Sequence, residues 1–156
     1  MATPGRGSEV TILIADDDED DRLMLRDAFG EARLGIDLRS VNDGVELLEY
    51  LQRRGRYADA AQSPRPALIL LDLNMPRMDG REALATLKRD PGLRAIPIVV
   101  LTTSKDEQDV ASTYDLGVNA FITKPVTYLG LVEVMKVVTR FWLEIVDLPP
   151  APGVRD

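Results

Sequence analysis

Leu68-Ile69-Leu70-Leu71-Asp72-Leu73-Asn74-Met75-Pro76 decides how this chain is read. Four bulky apolar residues run without interruption into a single carboxylate. A strand with one wet face would alternate, so the run predicts a strand buried on both faces, as in the middle of a parallel sheet. Asp72 then stands at the carboxyl end of a central strand, where open α/β sheets place their ligand sites. Asn74-Met75-Pro76 breaks the strand, and Asp79-Gly80 restarts the chain as a helix.

Outward from that stretch the same alternation recurs. Residues 10–15 form a short β-branched apolar run, a first strand. Asp16-Asp17-Asp18-Glu19-Asp20-Asp21 follows, then Leu23, Met24, Leu25, Ala28 and Phe29 at helical spacing. Carboxylates at a helix start are favoured there and cap its free N–H groups. Gly35 closes that helix, residues 36–41 alternate as a second strand, and Asn42-Asp43 caps a helix carrying Val45, Leu47, Leu48 and Leu51. Residues 57–66 read as a loop. The helix after Asp72 spans about residues 81–89 and stops before Asp90-Pro91-Gly92. Residues 96–101 are a second doubly buried strand ending in Thr102-Thr103-Ser104. A polar helix over residues 105–116 ends at Gly117, a strand over 119–123 ends in Lys124-Pro125, and a last helix covers 128–145. Five β-α units predict a five-stranded parallel sheet with right-handed crossovers and helices on both faces. Asp16, Asp72, Thr102 and Lys124 each stand at or just past a strand end, so one sheet edge brings the four together.

At 156 residues the chain is long enough for one domain, and its net charge of -7 argues against a nucleic-acid-binding domain. It has no cysteine, which excludes disulfides, thiolate nucleophiles and Cys-based metal sites, and no histidine, the commonest general base. Residues 1–8 carry no apolar signal segment, and no apolar run is long enough to span a membrane, so a cytoplasmic protein is expected.

Three carboxylates, Asp16, Asp17 and Asp72, repel one another unless a cation neutralises them. A hard cation with oxygen ligands fits, Mg2+ best, since it binds through one or two carboxylates, waters and phosphate. The plainer reading of the acidic run is a solvated helix start. Thr102 and Lys124 would offer a hydroxyl and an ammonium to a dianionic group. That combination stabilises a phosphoryl group in transfer, with an aspartate as nucleophile. Taken singly, Thr102 is a strand-end hydroxyl and Lys124 a surface lysine; the functional reading rests on all four strand ends together.

Four blocks carry a resemblance: Ile12 to Asp18, Leu70 to Gly80, Val100 to Ser104, and Phe121 to Pro125. In order and spacing they are similar to the signature blocks of response-regulator receiver domains, over about residues 9–145. The resemblance implies a flavodoxin-like (βα)5 fold with Asp72 as phosphoacceptor. It implies Asp17 as a direct Mg2+ ligand, Asp16 acting with it partly through water, and the backbone carbonyl of Asn74 completing the protein ligands. It implies Thr102 as the switch hydroxyl, Lys124 as the phosphoryl contact, Phe121 as the switch aromatic, and a cis Lys124-Pro125 bond. The phosphoryl donor would be a histidine kinase, and this histidine-free chain cannot itself carry a phosphohistidine. Leu101 to Ser104, Asp90 to Leu93 and the ending Phe141 to Pro149 resemble the single-domain regulators of phytochrome-type kinases. The expected organisation is a flexible tail (1–8), a receiver domain (9–146) and a Pro-rich tail (147–156), with no output domain.

The last helix has more apolar surface than one sheet contact needs. Glu133, Lys136, Arg140 and Glu144 form a narrow polar stripe, while Leu131, Val132, Val134, Met135, Val137, Val138, Phe141, Trp142, Leu143 and Ile145 flank it. A homodimer through residues 128–146 and the tail would bury the surplus; a tail folded back over it would too. Two other functions compete. A phosphatase of the haloacid-dehalogenase type needs a second aspartate two residues after the nucleophile, where this chain has Asn74. A phosphorylation-independent binding module would not need Asp72 at all.

Overall fold

The computed structural model describes residues 10–32, 36–103 and 107–145. Both predicted tails, Gly35 and the expected helix start at Lys105 lie outside the described residues. The chain alternates strand and helix: β1 (Val10–Ala15), α1 (Glu19–Ala32), β2 (Ile36–Val41), α2 (Gly44–Gln52), β3 (Leu68–Leu71), α3 (Gly80–Arg89), β4 (Ile98–Thr102), α4 (Glu107–Asp115), β5 (Ala120–Thr123) and α5 (Tyr128–Thr139). A π-helical stretch, Arg140–Ile145, extends the last helix to its expected end, and two single 3-10 turns occupy the loop before β3. The strands form one sheet in the order β2-β1-β3-β4-β5, and every neighbouring pair is parallel.

The apolar runs are explained by the two faces of this sheet. Side chains alternate along a strand. Leu13, Ala15, Ile69, Leu71, Ile98 and Val100 therefore pack on one face with Leu47 and Leu48 of α2 and Ala83, Leu84 and Leu87 of α3. Ile12, Ile14, Leu68, Leu70, Val99 and Leu101 pack on the other with Leu25, Ala28 and Phe29 of α1 and Leu131, Val132, Met135 and Val138 of α5. With both faces covered, every residue of β3 and β4 is buried. The edge strand β2 does not alternate in burial as expected; Ile36 to Ser40 are all half-buried and only Val41 is fully enclosed. An edge position leaves each of its faces only partly covered.

Strand β4 begins at Ile98 rather than Ile96. Pro97 has no N–H, and its carbonyl accepts from the Ile69 N–H at 3.0 Å. The Ile98 N–H turns instead to Oδ1 of Asn119, 2.9 Å away, which ties the start of β4 to the segment before β5.

Helix starts follow the polar residues that precede them. Asp18 accepts from the N–H groups of Asp20 and Asp21, Asp43 from that of Glu46, Asp79 from those of Arg81 and Glu82, and Thr127 from that of Gly130. These bonds satisfy first-turn donors that have no partner within the helix. Gly80 sits where a side chain has no room: a Cβ there would lie 2.5 Å from the Asp72 carbonyl oxygen and 2.8 Å from Cα of Leu73. Its N–H donates to the Leu73 carbonyl at 2.9 Å, folding α3 tightly onto the end of β3.

Candidate functional site

The carboxyl ends of β1, β3, β4 and β5 converge on one pocket. Parallel registry brings this about: Ala15 pairs with Leu71, Leu71 with Val100, and Thr102 with Thr123. The residues that follow these positions are Asp16, Asp72 and Lys124, with Thr102 itself the last residue of β4. Backbone bonds hold the ends together, from the Asp72 N–H to the Ala15 carbonyl at 2.9 Å and from the Lys124 N–H to the Thr102 carbonyl at 2.8 Å.

Asp72 is the hub. Its Oδ1 accepts from the Thr102 hydroxyl at 2.8 Å and from the Asn74 N–H at 3.1 Å; its Oδ2 accepts from the Lys124 ammonium at 3.2 Å. The Lys124 ammonium also donates to Oδ2 of Asp16 and to Oδ2 of Asp21, each at 2.7 Å. Oδ1 of Asp16 accepts from the Asp18 N–H at 2.9 Å, and Arg22 donates to the Asp16 backbone carbonyl at 2.6 Å.

Burial sharpens the electrostatics. The Asp16 side chain is 2% exposed, and burial pushes its carboxyl above the usual range against the pull of Lys124. For Lys124 burial works against the charged form. Its hydrogen bonds to Asp16 and Asp21 and the attraction of Asp16 and Asp72 outweigh burial, so the ammonium stays charged well above the ordinary lysine value.

Asp16, Asp72, Thr102 and Lys124 thus meet as the sequence reading expects. Asp17 does not join the cluster: the chain turns at the end of β1, Asp16 points in and Asp17 is exposed. Asn74 lies on the exposed loop after β3. The ring of Phe121 is half-buried against the α2–α3 face of the core, and its backbone N–H donates to the Tyr114 hydroxyl at 3.2 Å. The Lys124-Pro125 bond is trans, as are all peptide bonds among the described residues, so the expected cis bond is corrected. Trans is the lower-energy isomer of an X-Pro bond, and the lysine reaches its three carboxylates from it.

Asp21 belongs to the site and was missed as a site residue. It hides inside an acidic run that a helix start already explains; its position five residues after Asp16, in the first turn of α1, is the available signal. Oxygen atoms of Asp16, Asp21 and Asp72 lie within 4.8 Å of one another. Three carboxylates against one ammonium leave two negative charges, the complement of a divalent cation, and all the donors are oxygens, as a hard cation requires.

A model of the response regulator receiver domain matches residues 12–136, and the chain belongs to that family. Response regulator Rcp1 of Synechocystis sp. is 41% identical over 140 residues, covering 90% of this chain and 93% of that protein. The Mn(2+)-bound form of Rcp1 superposes with a TM-score of 0.82 at 40% identity, over 90% of this chain and 99% of that one. The phosphorylated cyanobacterial phytochrome response regulator RcpA superposes with a TM-score of 0.85 at 41% identity, over 91% and 99% of the two chains. A response regulator in red light signaling of R. palustris gives 0.85 at 37% identity, over the same shares. The flavodoxin-like receiver fold is therefore established, and with it a signalling protein of the two-component class, homologous to phytochrome response regulators. Receiver domains work with sensor histidine kinases, take up phosphoryl on an aspartate and bind a divalent metal.

Proposed function

We propose that Asp72 is the phosphoacceptor of this receiver domain. The observation that carries this is the convergence on its carboxylate of the Thr102 hydroxyl and the Lys124 ammonium, from β4 and from the end of β5. One carboxylate oxygen of Asp72 forms the bond to phosphorus as the P–N bond of a kinase phosphohistidine breaks. The electron pair of that bond stays on the imidazole nitrogen. The Lys124 ammonium and the Thr102 hydroxyl supply donors to the arriving phosphoryl oxygens. Asn74 cannot act as the second aspartate of a dehalogenase-type phosphatase, so the chain catalyses only its own phosphorylation and dephosphorylation.

Mg2+ is the cation that carboxylate and carbonyl oxygens suit; in this reading Asp16 and Asp72, with the exposed Asp17 and the Asn74 carbonyl, would hold it, and it would offset the charge of the carboxylates and of the phosphoryl oxygens. Thr102 and Phe121 then form the switch: the hydroxyl follows the phosphoryl group, and the aromatic ring follows the space it leaves. The output is a shift in population between two arrangements of the face around α4, β5 and α5.

The likeness to RcpA and to the R. palustris regulator supports a phytochrome-type histidine kinase as the donor, in the cytoplasm, where kinases draw on ATP. Neither nucleic acid nor membrane is part of this reading. The surplus apolar surface of the last helix is present: Leu129 is 75%, Val137 67% and Phe141 47% exposed, alongside buried Leu131, Val132, Met135 and Val138. This supports a homodimer through the last helix and the residues after it. Light scattering at micromolar concentration is expected to give the dimer mass, and a monomer mass would contradict it.

The proposed chemistry is tested with a phytochrome-type histidine kinase autophosphorylated from radiolabelled ATP. Label is expected to pass to the wild-type chain in Mg2+ and not to Asp72→Asn. Label on both chains, or on neither, would contradict the assignment.

A further inference from the structure

Lys124 is held from a direction that the phosphoryl reading does not explain. Its ammonium has three N–H bonds and finds three carboxylates, and the two shortest contacts go to carboxylates other than Asp72: 2.7 Å to Asp16 and 2.7 Å to Asp21, against 3.2 Å to Asp72. The lysine side chain is 10% exposed, so little water is at hand to replace a missing partner. Asp21 sits in the first turn of α1, with its backbone N–H on the Asp18 cap. It therefore reaches the lysine from a rigid helix rather than from a loop.

We infer that Asp21 is a positioning residue for phosphoryl transfer: it anchors the Lys124 ammonium on the α1 side so that the remaining donors face the Asp72 carboxylate. The inference rests on the reading of Asp72 as phosphoacceptor. The lysine stem has four rotatable carbons, and an ammonium on such a stem holds one place only if fixed partners surround it. Of the lysine's three partners, Asp16 and Asp72 are carboxylates that a divalent cation would draw on in that reading. Asp21 is the anion left to hold the ammonium while they do so. During the transfer an oxygen of Asp72 bonds to phosphorus, and the donor's leaving group departs with the electron pair of the bond it loses. Lys124 meets the phosphoryl oxygens with donors that Asp21 has already oriented. A residue with this role sets the rate and not the metal affinity. It also acts only through the lysine.

The experiment is the rate of phosphorylation by acetyl phosphate, from which acetate departs, followed across a Mg2+ titration for the wild type, Asp21→Asn, Asp21→Glu, Lys124→Met and the double variant Asp21→Asn/Lys124→Met. At saturating Mg2+, Asp21→Asn is expected to be about tenfold slower than wild type, the size of one charge-assisted hydrogen bond. Asp21→Glu, which keeps the carboxylate, recovers much of the rate, and the double variant is no slower than Lys124→Met. A wild-type rate in Asp21→Asn would overturn the inference. A loss erased by more Mg2+ would overturn it too, making Asp21 a metal ligand, as would an equal loss in the Lys124→Met background. Absence of any adduct on the wild type would instead remove the acceptor reading beneath it.

Discussion

The Thr102 hydroxyl donates to Oδ1 of Asp72 at 2.8 Å, and Thr102 is fully enclosed. The two residues end adjacent parallel strands, so the contact reports directly on how those strands are set. A group on Asp72 is therefore felt first at the end of β4. Thr102→Val keeps the branched shape and removes the donor, while Oδ1 of Asp72 retains the Asn74 N–H. The variant is expected to take up phosphoryl from acetyl phosphate at a rate reduced by no more than about tenfold. The response of Phe121 to phosphorylation should be lost. Ring signals of Phe121 in NMR spectra, with and without phosphodonor, check this; an unchanged response would separate Thr102 from the switch.

Removing the lysine should expose the repulsion it balances. Lys124→Ala leaves Asp16, Asp21 and Asp72 without their shared cation. Without divalent metal the loss should be about 3 kcal/mol of unfolding free energy, the scale of a broken buried pair. Added Mg2+ should raise the stability of this variant more than that of the wild type, because the metal no longer competes with the ammonium. Urea unfolding with and without Mg2+ measures both.

Gly80 tests how closely α3 approaches the acceptor. A Cβ at this position meets the Asp72 carbonyl oxygen at 2.5 Å, and that atom belongs to the backbone of the site. Gly80→Ala should cost about 3 kcal/mol, as overpacking against an unyielding neighbour does. It should also slow phosphorylation by moving Asp72. Urea unfolding at matched pH tests the first part and acetyl phosphate kinetics the second.

Much of this architecture was readable in advance. The uninterrupted runs over residues 68–71 and 96–101 identified the central strands, because only strands covered on both faces stay apolar at every residue, although the second strand starts two residues into its run. Asp16, Asp72, Thr102 and Lys124 followed from the rule that parallel strands end on one edge. Two things escaped. The acidic run from Asp16 to Asp21 does not say which carboxylates turn inward. That depends on the turn after β1, where Asp18 is spent on the helix cap and Asp21 comes round to the lysine. The backbone isomer at Lys124-Pro125 depends on a loop whose conformation no residue pattern encodes. Strand β2 misled through its own alternation, since an edge strand is covered only in part on either side.

Acid should destabilise the fold through two carboxylates at the start of α2. Burial raises the Asp43 carboxyl, but two bonds from Arg77, at 2.7 and 3.1 Å, and one from the Glu46 N–H hold it below the usual range. Burial likewise opposes Glu46, whose carboxylate is held low by the Tyr57 hydroxyl, the Asn42 N–H and Arg56. Groups depressed in the fold contribute stability that is complete above their unfolded values, about pH 4, and lost as pH falls through the lower folded values. Glu46→Gln should be less stable than wild type at pH 7 by about 1–3 kcal/mol and should lose less on going to pH 3. Urea midpoints across that range test the sign; parallel curves for the two proteins would contradict it.

The central claim is that Asp72 takes up a phosphoryl group in a reaction that needs a divalent cation. Its most direct test is the intact mass of the wild-type chain and of Asp72→Asn after incubation with acetyl phosphate, with Mg2+ and with the metal chelated. The account predicts one phosphoryl adduct on the wild type in Mg2+, none after chelation, and none on Asp72→Asn. An adduct that persists in Asp72→Asn, or no adduct on a folded wild type, would contradict it.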